Sequence, residues 1–357
     1  MKREAARKVT IREVAALAGV SIGSVSRALN RAGRVSAATI MAVEAAAKRL
    51  GYEPDATAQS MRTRSIGVVG LLVADLASAH TMSIVAAIES RLQAEGYALL
   101  LGNTHDDPRR ERTMIDFFRR RRVDGIMLAA CGPERPEVLD SLRARGVPAV
   151  AIDRDLRPED TGVQVDFMGG ALQATRYLLG LGHRRIALLT TGDTRRPGRE
   201  RISGYRDAYA ERGLRPDAKL IRVDPVSRDF SLSAALGMLS SDSPPTAFFC
   251  PGTHTLVGVL HAIRHSGLAV PDDVSVISVG DSHLSQLYSP AVTSLTWDFT
   301  AVGTVVSELM LKRLRASQGE PILEPERIVM GMQLVMRGSC GPAALASRRG
   351  ASSTIAA

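Results

Sequence analysis

Aromatic residues and cysteines are scarce in this sequence, and each shortage limits the kinds of protein that the chain can form. The 357 residues include only 7 Phe, 6 Tyr and 1 Trp, so a core must be built mainly from Ala, Val, Leu, Ile and Met. The three cysteines, Cys131, Cys250 and Cys340, are far apart and form no CxxC pair. An odd, dispersed set argues against a disulfide framework or a zinc cluster. We therefore expect no bound metal, and a cytoplasmic protein, because the cytoplasm is reducing.

Signals for membranes and cofactors are also missing. No stretch of 18 apolar residues is long enough to span a membrane, and the opening MKREAARKV lacks the apolar segment of a signal peptide. The sequence contains no P-loop for nucleotide phosphates and no GxGxxG fingerprint for a dinucleotide. We therefore expect no membrane partner and no cofactor.

Positive charge is concentrated at the start of the chain. Residues 1–65 contain 12 Lys and Arg against 5 acids, a net charge of +7, whereas the other 292 residues carry only +2. The whole chain is long enough for two or three domains. A small basic region followed by a nearly neutral body indicates a polyanionic partner for the basic region alone.

Three short helices are predicted within this basic region. Thr10 and Glu13 have the spacing of a capping box at the start of the first helix. Ser21 and Ser36 can accept the first free backbone N–H groups of the second and third helices. Gly51 follows the last apolar residue and is expected to end the third helix.

The first two helices have the spacing of a helix-turn-helix motif. Gly19 supplies the turn, and the small residue Ala15 lets the second helix cross the first closely. The outer face of the second helix carries groups suited to phosphate, guanine or a thymine methyl group. These residues are Ser21, Ile22, Gly23, Ser24, Ser26 and Arg27. A plain helical hairpin has the same spacing but has no need of the charge, so the pattern favours DNA binding.

From residue 66 onward, short apolar segments alternate with segments of helical periodicity. This alternation predicts an α/β body with parallel sheets and helices on both of their faces. The units are too many for one sheet, so we expect two sub-domains of similar plan. The predicted strands lie at 66–73, 97–102, 123–130, 147–153, 185–191, 219–223, 246–250 and 274–279. The predicted helices lie near 81–95, 108–120, 135–145, 168–181, 199–212, 231–240 and 254–266.

The segment VTIREVAALAGVSIGSVSRALN resembles the DNA-binding head of the lactose-repressor (LacI/GalR-type) family of bacterial transcription regulators. The family pattern T-I-x-D-V-A-x-x-A-G-V-S-x-x-T-V-S-R-x-L-N is matched nearly throughout. The similarity continues through RVSAATIMAVEAAAKRLGYEPDATAQSMRT, and then in IGVVGLLVADL, VDGIMLAA, VPAVAIDR, LGHRRIALLT, RISGYRDAY, PDDVSVISVGD, PAVTSLTWD and LVMRGS. It covers about residues 9–340, and the head motif is its most specific part.

The resemblance implies a domain organisation. It places a helix-turn-helix head at 1–53, a hinge at 54–65, a body at 66–340 and a disordered tail at 341–357. The body is expected to resemble a periplasmic sugar-binding protein, with two lobes and a small molecule between them. The implied lobes are 66–163 with 292–324, and 164–291 with 325–340, so the chain crosses between them three times.

The resemblance also implies which residues contact DNA. Ile22, Gly23 and Arg27 would face the bases, and Met61 would wedge into the minor groove at the centre of the operator. The full implied set is Thr10, Ile11, Ser21, Ile22, Gly23, Ser24, Ser26, Arg27, Asn30, Val35, Ser36, Thr39, Ala58 and Met61. A dimer would place two such second helices in successive major grooves of a near-palindromic operator.

The effector contacts implied by the resemblance are Asp75, Ser78, His80, Asp153, Arg154, Arg201, Thr253 and Asp281. The sequence departs from the family in this set. Ser78-Ala79-His80-Thr81 replaces Asn-Pro-Phe-Phe, so two aromatic side chains that often line the cleft are missing, and Thr253 replaces a carboxylate. The retained arginines suit a sugar-derived acid as well as a sugar, because guanidinium groups pair bidentately with carboxylates. A regulator without an effector stays an open alternative.

The sequence thus predicts a homodimeric DNA-binding repressor, controlled by a small molecule and without enzymatic activity. Two alternatives stay open. An enzyme on a doubly wound fold would show a nucleophile–base pair or a metal set in its cleft, where this sequence offers only scattered Asp and Arg. A nonspecific architectural protein would bind all DNA sequences alike, and it would leave the large body unexplained.

Overall fold

The structure is a computed structural model that describes residues 9–29, 35–52, 65–129, 137–223, 228–319, 321 and 324–343. The chain divides into two compact units, Met1–Ile66 and Gly67–Ala357, which are considered separately. Several sequence predictions lie outside the described residues. They concern Asn30, Ala58, Met61, the hinge before Ser65 and the tail after Ala343.

Three helices form the head. They are α1 (Ile11–Ala18), α2 (Ile22–Leu29) and α3 (Ala37–Leu50). One valine from each helix, Val14, Val25 and Val43, is 0% exposed, and small alanines fill the spaces around them. The three predicted helices are therefore confirmed, and they bury one shared core although each is too short to be stable alone.

The predicted helix ends are confirmed at atomic detail. The Glu13 carboxylate accepts the backbone N–H of Thr10 at 2.7 Å, the contact expected of a capping box. Ser21 and Ser36 each accept the N–H three residues further on, at 3.1 and 3.2 Å. Gly19 has a φ of 65° and ends α1, and Val20 then donates to the Ala15 carbonyl at 3.1 Å. A left-handed residue is needed to end the helix in this way, which is why glycine stands there.

The first lobe of the body contains a six-stranded, fully parallel sheet. With elements numbered in chain order, its strands are β1 (Val68–Val73), β2 (Ala98–Asn103), β3 (Gly125–Ala129), β4 (Ala149–Ile152), β5 (Gly162–Val165) and β11 (Arg327–Met330). The strand order is β11-β5-β4-β3-β1-β2.

Helices cover both faces of this sheet, as predicted. They are α4 (Ala79–Ala94), α5 (Pro108–Arg120), α6 (Glu137–Arg143) and α12 (Phe299–Ser317). Side chains alternate along β1, so Leu71 packs with α4 and α12 on one face and Leu72 packs with α5 and α6 on the other. No helix among the described residues is both long enough and apolar enough to cross a membrane.

The second lobe repeats this plan. Its strands are β6 (Ile186–Thr190), β7 (Ile221–Val223), β8 (Ala247–Cys250), β9 (Ser275–Val279), β10 (Thr293–Thr296) and β12 (Gln333–Val335), in the order β12-β10-β9-β8-β6-β7. Only β12 among them runs antiparallel to its neighbour. Its helices are α7 (Phe167–Gly180), α8 (Arg196–Ala210), α9 (Arg228–Leu239), α10 (Thr253–His265) and α11 (His283–Leu287).

The chain passes between the lobes three times, but at other positions than the resemblance implied. Residues 293–296, expected in the first lobe, form β10 of the second sheet because they pair with β9. Residues 327–330, expected in the second lobe, form β11 of the first sheet because they pair with β5. The first crossing follows Val165 rather than residue 163. The strand β5, with the sequence GVQV, is missing from the predicted strands because it is short and half polar.

Two helical glycines, one in each lobe, allow a test of how tightly the helices of the body are packed. A Cβ at Gly303 of α12 would lie 2.6 Å from the Cβ of Ala87 and 2.7 Å from the Ile84 carbonyl oxygen of α4. We expect Gly303→Ala to lower the free energy of unfolding by about 1–3 kcal/mol, because the two helices must separate. Gly237 of α9 has open space around it. Gly237→Ala is expected to raise that free energy by about 0.5–1 kcal/mol. Urea unfolding of both variants checks the opposite signs.

Candidate functional site

The outer face of α2 presents a row of polar side chains. The hydroxyls of Ser21 and Ser24 lie 3.0 Å apart, and Arg27 donates to the Ser24 hydroxyl at 3.4 Å. Arg27 is exposed, and Ile22 beside the row is 45% exposed although it is apolar. This face therefore joins hydrogen-bonding groups, a cation and a methyl-bearing side chain, the combination used to read base edges in the major groove.

Gly23 has no role in the packing of the head. A Cβ there would meet only the Ser21 hydroxyl, at 3.7 Å. Glycine costs a helix about 1 kcal/mol relative to alanine, so α2 is less stable with Gly23 than it need be. The glycine leaves a flat patch between Ile22 and the polar row, which another molecule can approach closely.

The other predicted DNA contacts of the head lie at the starts of helices or are half-buried. Thr10, Ser36 and Thr39 lie at the starts of α1 and α3, where Ser36 and Thr39 share a hydroxyl hydrogen bond of 2.9 Å. Ser26 of α2 is half-buried. Ile11 and Val35 are half-buried against the core of the head, so their side chains serve its stability first.

A cleft lies between the two lobes of the body, at the carboxyl ends of their parallel strands, where open α/β sheets bind ligands. It consists of two adjoining cavities of about 480 and 240 Å³ that share wall residues from both lobes. Six of the eight residues proposed for the effector line it, namely Asp75, Ser78, His80, Asp153, Arg201 and Thr253. The remaining two, Arg154 and Asp281, are not among the lining residues.

Arg154 is 2% exposed and forms a buried ion pair with Glu111 of α5. It also donates to the Ala129 carbonyl at 3.1 Å. Asp153 and Arg154 follow β4 directly, and the left-handed φ of 55° at Asp153 sends the two side chains to different environments. The expected role of Arg154 in ligand binding is therefore wrong, because its charge is already paired with Glu111.

Asp281 is engaged in a similar way. Both of its carboxylate oxygens accept from Arg337, at 2.8 and 2.7 Å, and Ser285 and Gln286 donate to it at 3.0 Å. These bonds fasten the segment after β12 to the second lobe. The carboxylate of Asp281 is thus engaged within the lobe, and the structure does not place it among the residues that line the cleft.

Arg201 is the buried cation of the cleft. It is 8% exposed, its guanidinium carbon lies 4.5 Å from the centre of the Phe167 ring, and burial lowers its pKa to about 10, so it stays charged at neutral pH. Within the described part of the chain no carboxylate lies at ion-pair distance from Arg201, and its Nε atom has no hydrogen-bond partner. A buried guanidinium with unused donors is suited to an anionic or oxygen-rich ligand.

His80 faces Arg201 from the first lobe. Its ring stacks on Phe299 with centroids 4.7 Å apart, and it presses so closely on Gly280 of the second lobe that a Cβ there would collide with it. Burial, and to a smaller extent the positive charge of Arg201, lower the pKa of His80 to about 4, so the ring is neutral at physiological pH.

Aromatic side chains do line the cleft, contrary to the sequence expectation. Phe167, at the first crossing of the chain, and Trp297, at the second, form walls of the smaller cavity. Their rings meet edge to face at 5.7 Å. Sequence reasoning missed both because it considered only the positions where the family carries aromatics. The single tryptophan of the chain is the feature of the sequence that could have indicated an aromatic wall of the cleft.

The fold and these two sites define a class of protein with a helix-turn-helix head and a two-lobed body of the periplasmic-binding type. Residues 10–55 match the model of "Bacterial regulatory proteins, lacI family", and residues 175–340 match that of "Periplasmic binding protein-like domain". The chain belongs to the lacI family of bacterial regulatory proteins.

Individual relatives are similar over nearly the whole chain. The HTH-type transcriptional repressor PurR of Vibrio cholerae serotype O1 is 32% identical over 314 residues, which are 87% of this chain and 93% of the relative. The ribose operon repressor of Escherichia coli (strain K12) is 31% identical over 92% of this chain and 99% of its own length. The lac repressor dimer bound to operator and the anti-inducer ONPF is 28% identical with a TM-score of 0.81, covering 94% of this chain and 100% of that one.

Two groups in the cleft oppose each other in the pH dependence of stability. Burial raises the pKa of Asp153 to about 6 from 3.8, so the folded chain keeps a proton that the unfolded chain loses, and stability falls as pH rises in this range. The lowered pKa of His80 has the reverse effect, because the unfolded chain binds a proton that the folded chain does not.

We expect Asp153→Asn to remove the first effect and leave the second. The free energy of unfolding should then rise more steeply between about pH 4 and pH 6, by up to about 1.4 kcal/mol per pH unit. Asparagine tolerates the left-handed conformation of this position. Urea unfolding followed by Trp297 fluorescence measures the slope, and His80→Gln is the control that should tilt it the other way. Equal slopes for the wild type and both variants would contradict the assignment.

Proposed function

We propose that this protein is a cytoplasmic, homodimeric transcription repressor that binds a near-palindromic operator and is controlled by a small molecule in its interlobe cleft. The exposed row of Ser21, Ser24 and Arg27 on α2, within a region of net charge +7, is the observation that carries this proposal. It is supported by relatives that are transcriptional repressors and by the similar lac repressor, a dimer bound to operator.

In this proposal α2 enters the major groove. Arg27 pairs with a guanine edge, Ile22 packs on a thymine methyl group, and Gly23 lets the backbone approach the bases. Hydroxyls at the helix starts, including Thr10, Ser36 and Thr39, are placed for phosphate oxygens, which fix the register of the protein on DNA. A second copy repeats these contacts one helical turn away.

The ligand is proposed to be a sugar or a sugar-derived acid. Arg201 offers unused donors, while Asp75 and Asp153 offer carboxylate acceptors on the opposite lobe. The apolar faces of Phe167 and Trp297 complete the smaller cavity and suit the C–H face of a sugar ring. A ligand that contacts both lobes favours one lobe orientation over the other, and this difference in affinity is what can be transmitted to DNA binding.

We assign no catalytic activity to this cleft. In the described part of it, no serine, threonine or cysteine is hydrogen-bonded to a histidine, the arrangement that activates a nucleophile. Ser78, for example, accepts the Thr81 N–H at the start of α4. No group of three or more possible metal ligands occurs in the described residues either.

Selection of random duplex DNA by the full-length chain tests the function. We expect a near-palindromic site, with Arg27→Ala weakening binding to it by about 10–100-fold, because a lost bidentate base contact costs about 1–3 kcal/mol. Arg206→Ala, which removes an exposed arginine of α8 in the body, is the charge-matched control and should bind like the wild type. Equal binding to all sequences would contradict the proposal and point to an architectural protein.

A screen of sugars and their aldonic and uronic acids tests the cleft. A ligand present at a hundred times its Kd should stabilise the full-length chain by about 2.7 kcal/mol, seen as a rise in Tm. We expect Arg201→Gln to lose this stabilisation while Arg206→Gln keeps it. A ligand that stabilises the Arg201→Gln variant equally would place the binding site elsewhere.

A further inference from the structure

A short arginine-rich segment of the second lobe reaches across the cleft to the first lobe. This segment, residues 195–199, lies at the start of α8. Arg195 forms an ion pair with Asp106, and Arg199 pairs with both oxygens of Asp155 at 2.7 Å. Between them Arg196 pairs with Glu200 of its own helix at 2.8 Å and lies 3.6 Å from Asp153. One segment thus contacts the first lobe after the edge strand β2 and after the inner strand β4.

His254, at the start of α10, also lies near the first lobe. Its Nε2 atom is 3.5 Å from Oδ2 of Asp75, which follows β1, a strand between β4 and β2 in the sheet. In the two arginine pairs the first lobe contributes the carboxylate and the second lobe the guanidinium, so each pair draws the lobes together.

The inner wall of the cleft opposes the attraction between the lobes. His80 Nε2, Trp297 Nε1 and Arg201 Nε are all buried without a hydrogen-bond partner in the structure. Burying such atoms is unfavourable, because each loses its hydrogen bonds to water. The ion pairs at the rim act in the opposite direction, because they attract the lobes through residues of the chain alone.

We propose that the ion pairs of Arg195 with Asp106 and of Arg199 with Asp155 form a clasp that draws the two lobes together. What the clasp implies for regulation by an effector rests on the proposed function. A ligand then binds to lobes that are already oriented, so part of the cost of closure has been met before binding. The charges of the clasp set how much of the protein is closed and therefore set the apparent affinity for the effector.

Trp297 is a built-in reporter of closure. It is the only tryptophan of the sequence, it lies where the chain crosses between the lobes, and it packs against His80 of the first lobe. Opening of the cleft should expose its indole ring to solvent. Quenching of its fluorescence by acrylamide, a neutral molecule, follows this exposure in the full-length chain without DNA and without ligand.

The test compares three variants with the wild type. Arg199→Glu places two carboxylates opposite each other, and we expect it to raise the acrylamide quenching constant of Trp297 about twofold or more. Arg199→Glu combined with Asp155→Arg restores an ion pair with reversed signs and should return the constant to the wild-type value. Arg176→Glu is the matched control. Arg176 pairs with Glu211 between α7 and α8, equally exposed but within one lobe, so its loss should leave Trp297 unchanged.

The outcomes are distinct. If Arg199→Glu quenches like the wild type, or if the double variant stays as open as Arg199→Glu alone, the clasp is wrong. Should Arg199→Glu fold poorly by far-UV circular dichroism, Arg199→Ala is measured in the same way, with a smaller increase expected. Because the readout uses neither operator nor effector, failure of the proposed function would leave this test standing, and failure of the clasp would leave operator binding untouched.

Discussion

The three crossings of the chain between the lobes are the constraint on which the body depends. Each sheet is completed by a strand that the chain adds after a later crossing, β12 in the second lobe and β11 in the first. The lobes therefore cannot separate and can only reorient about the crossing points. Trp297 and Met332, at the second and third crossings, pack against the cores of both lobes, and Phe167 at the first crossing belongs to the core of the first. These residues form a hydrophobic cluster at the crossings. Phe167 and Trp297 also line the smaller cavity, so a ligand in the cleft would touch this cluster directly.

Two kinds of interaction thus meet in the cleft and favour different states. Ion pairs at the rim attract the lobes, while buried donors on the inner wall are better served by water or by a ligand. A small difference between such terms is what a regulator requires, because a cleft fixed firmly in one state would not respond to a ligand. The neutral state of His80 contributes to the same balance, since its burial disfavours protonation of the ring.

Sequence patterns were sufficient for helix caps and turns and for most elements as far as β9, but the 19-residue helix α12 is not among the predicted helices. Caps such as Ser36 and turns such as Gly19 depend on neighbours a few residues away, and the strands with apolar runs are recognisable without their partners. Some short strands could not be predicted from local patterns. The strand β5 and the exact crossings depend on pairing with segments far along the chain, which no local pattern contains. The same limit applies to the cleft. Arg154 and Asp281 lie beside true lining residues in sequence, but their partners Glu111 and Arg337 decide where their charges are used.

Residues that the fold does not explain are the most informative about function. Gly19 is required by its left-handed backbone, and Gly303 by the close approach of α4. Gly23 has neither reason, and alanine would make a more stable helix in its place. Arg201 is comparable in the body, because a buried guanidinium without a carboxylate partner lowers stability unless something else completes it. Both residues are therefore placed at a cost to folding. The proposed function supplies a reason for each, because a duplex would lie against Gly23 and a ligand would complete the hydrogen bonds of Arg201.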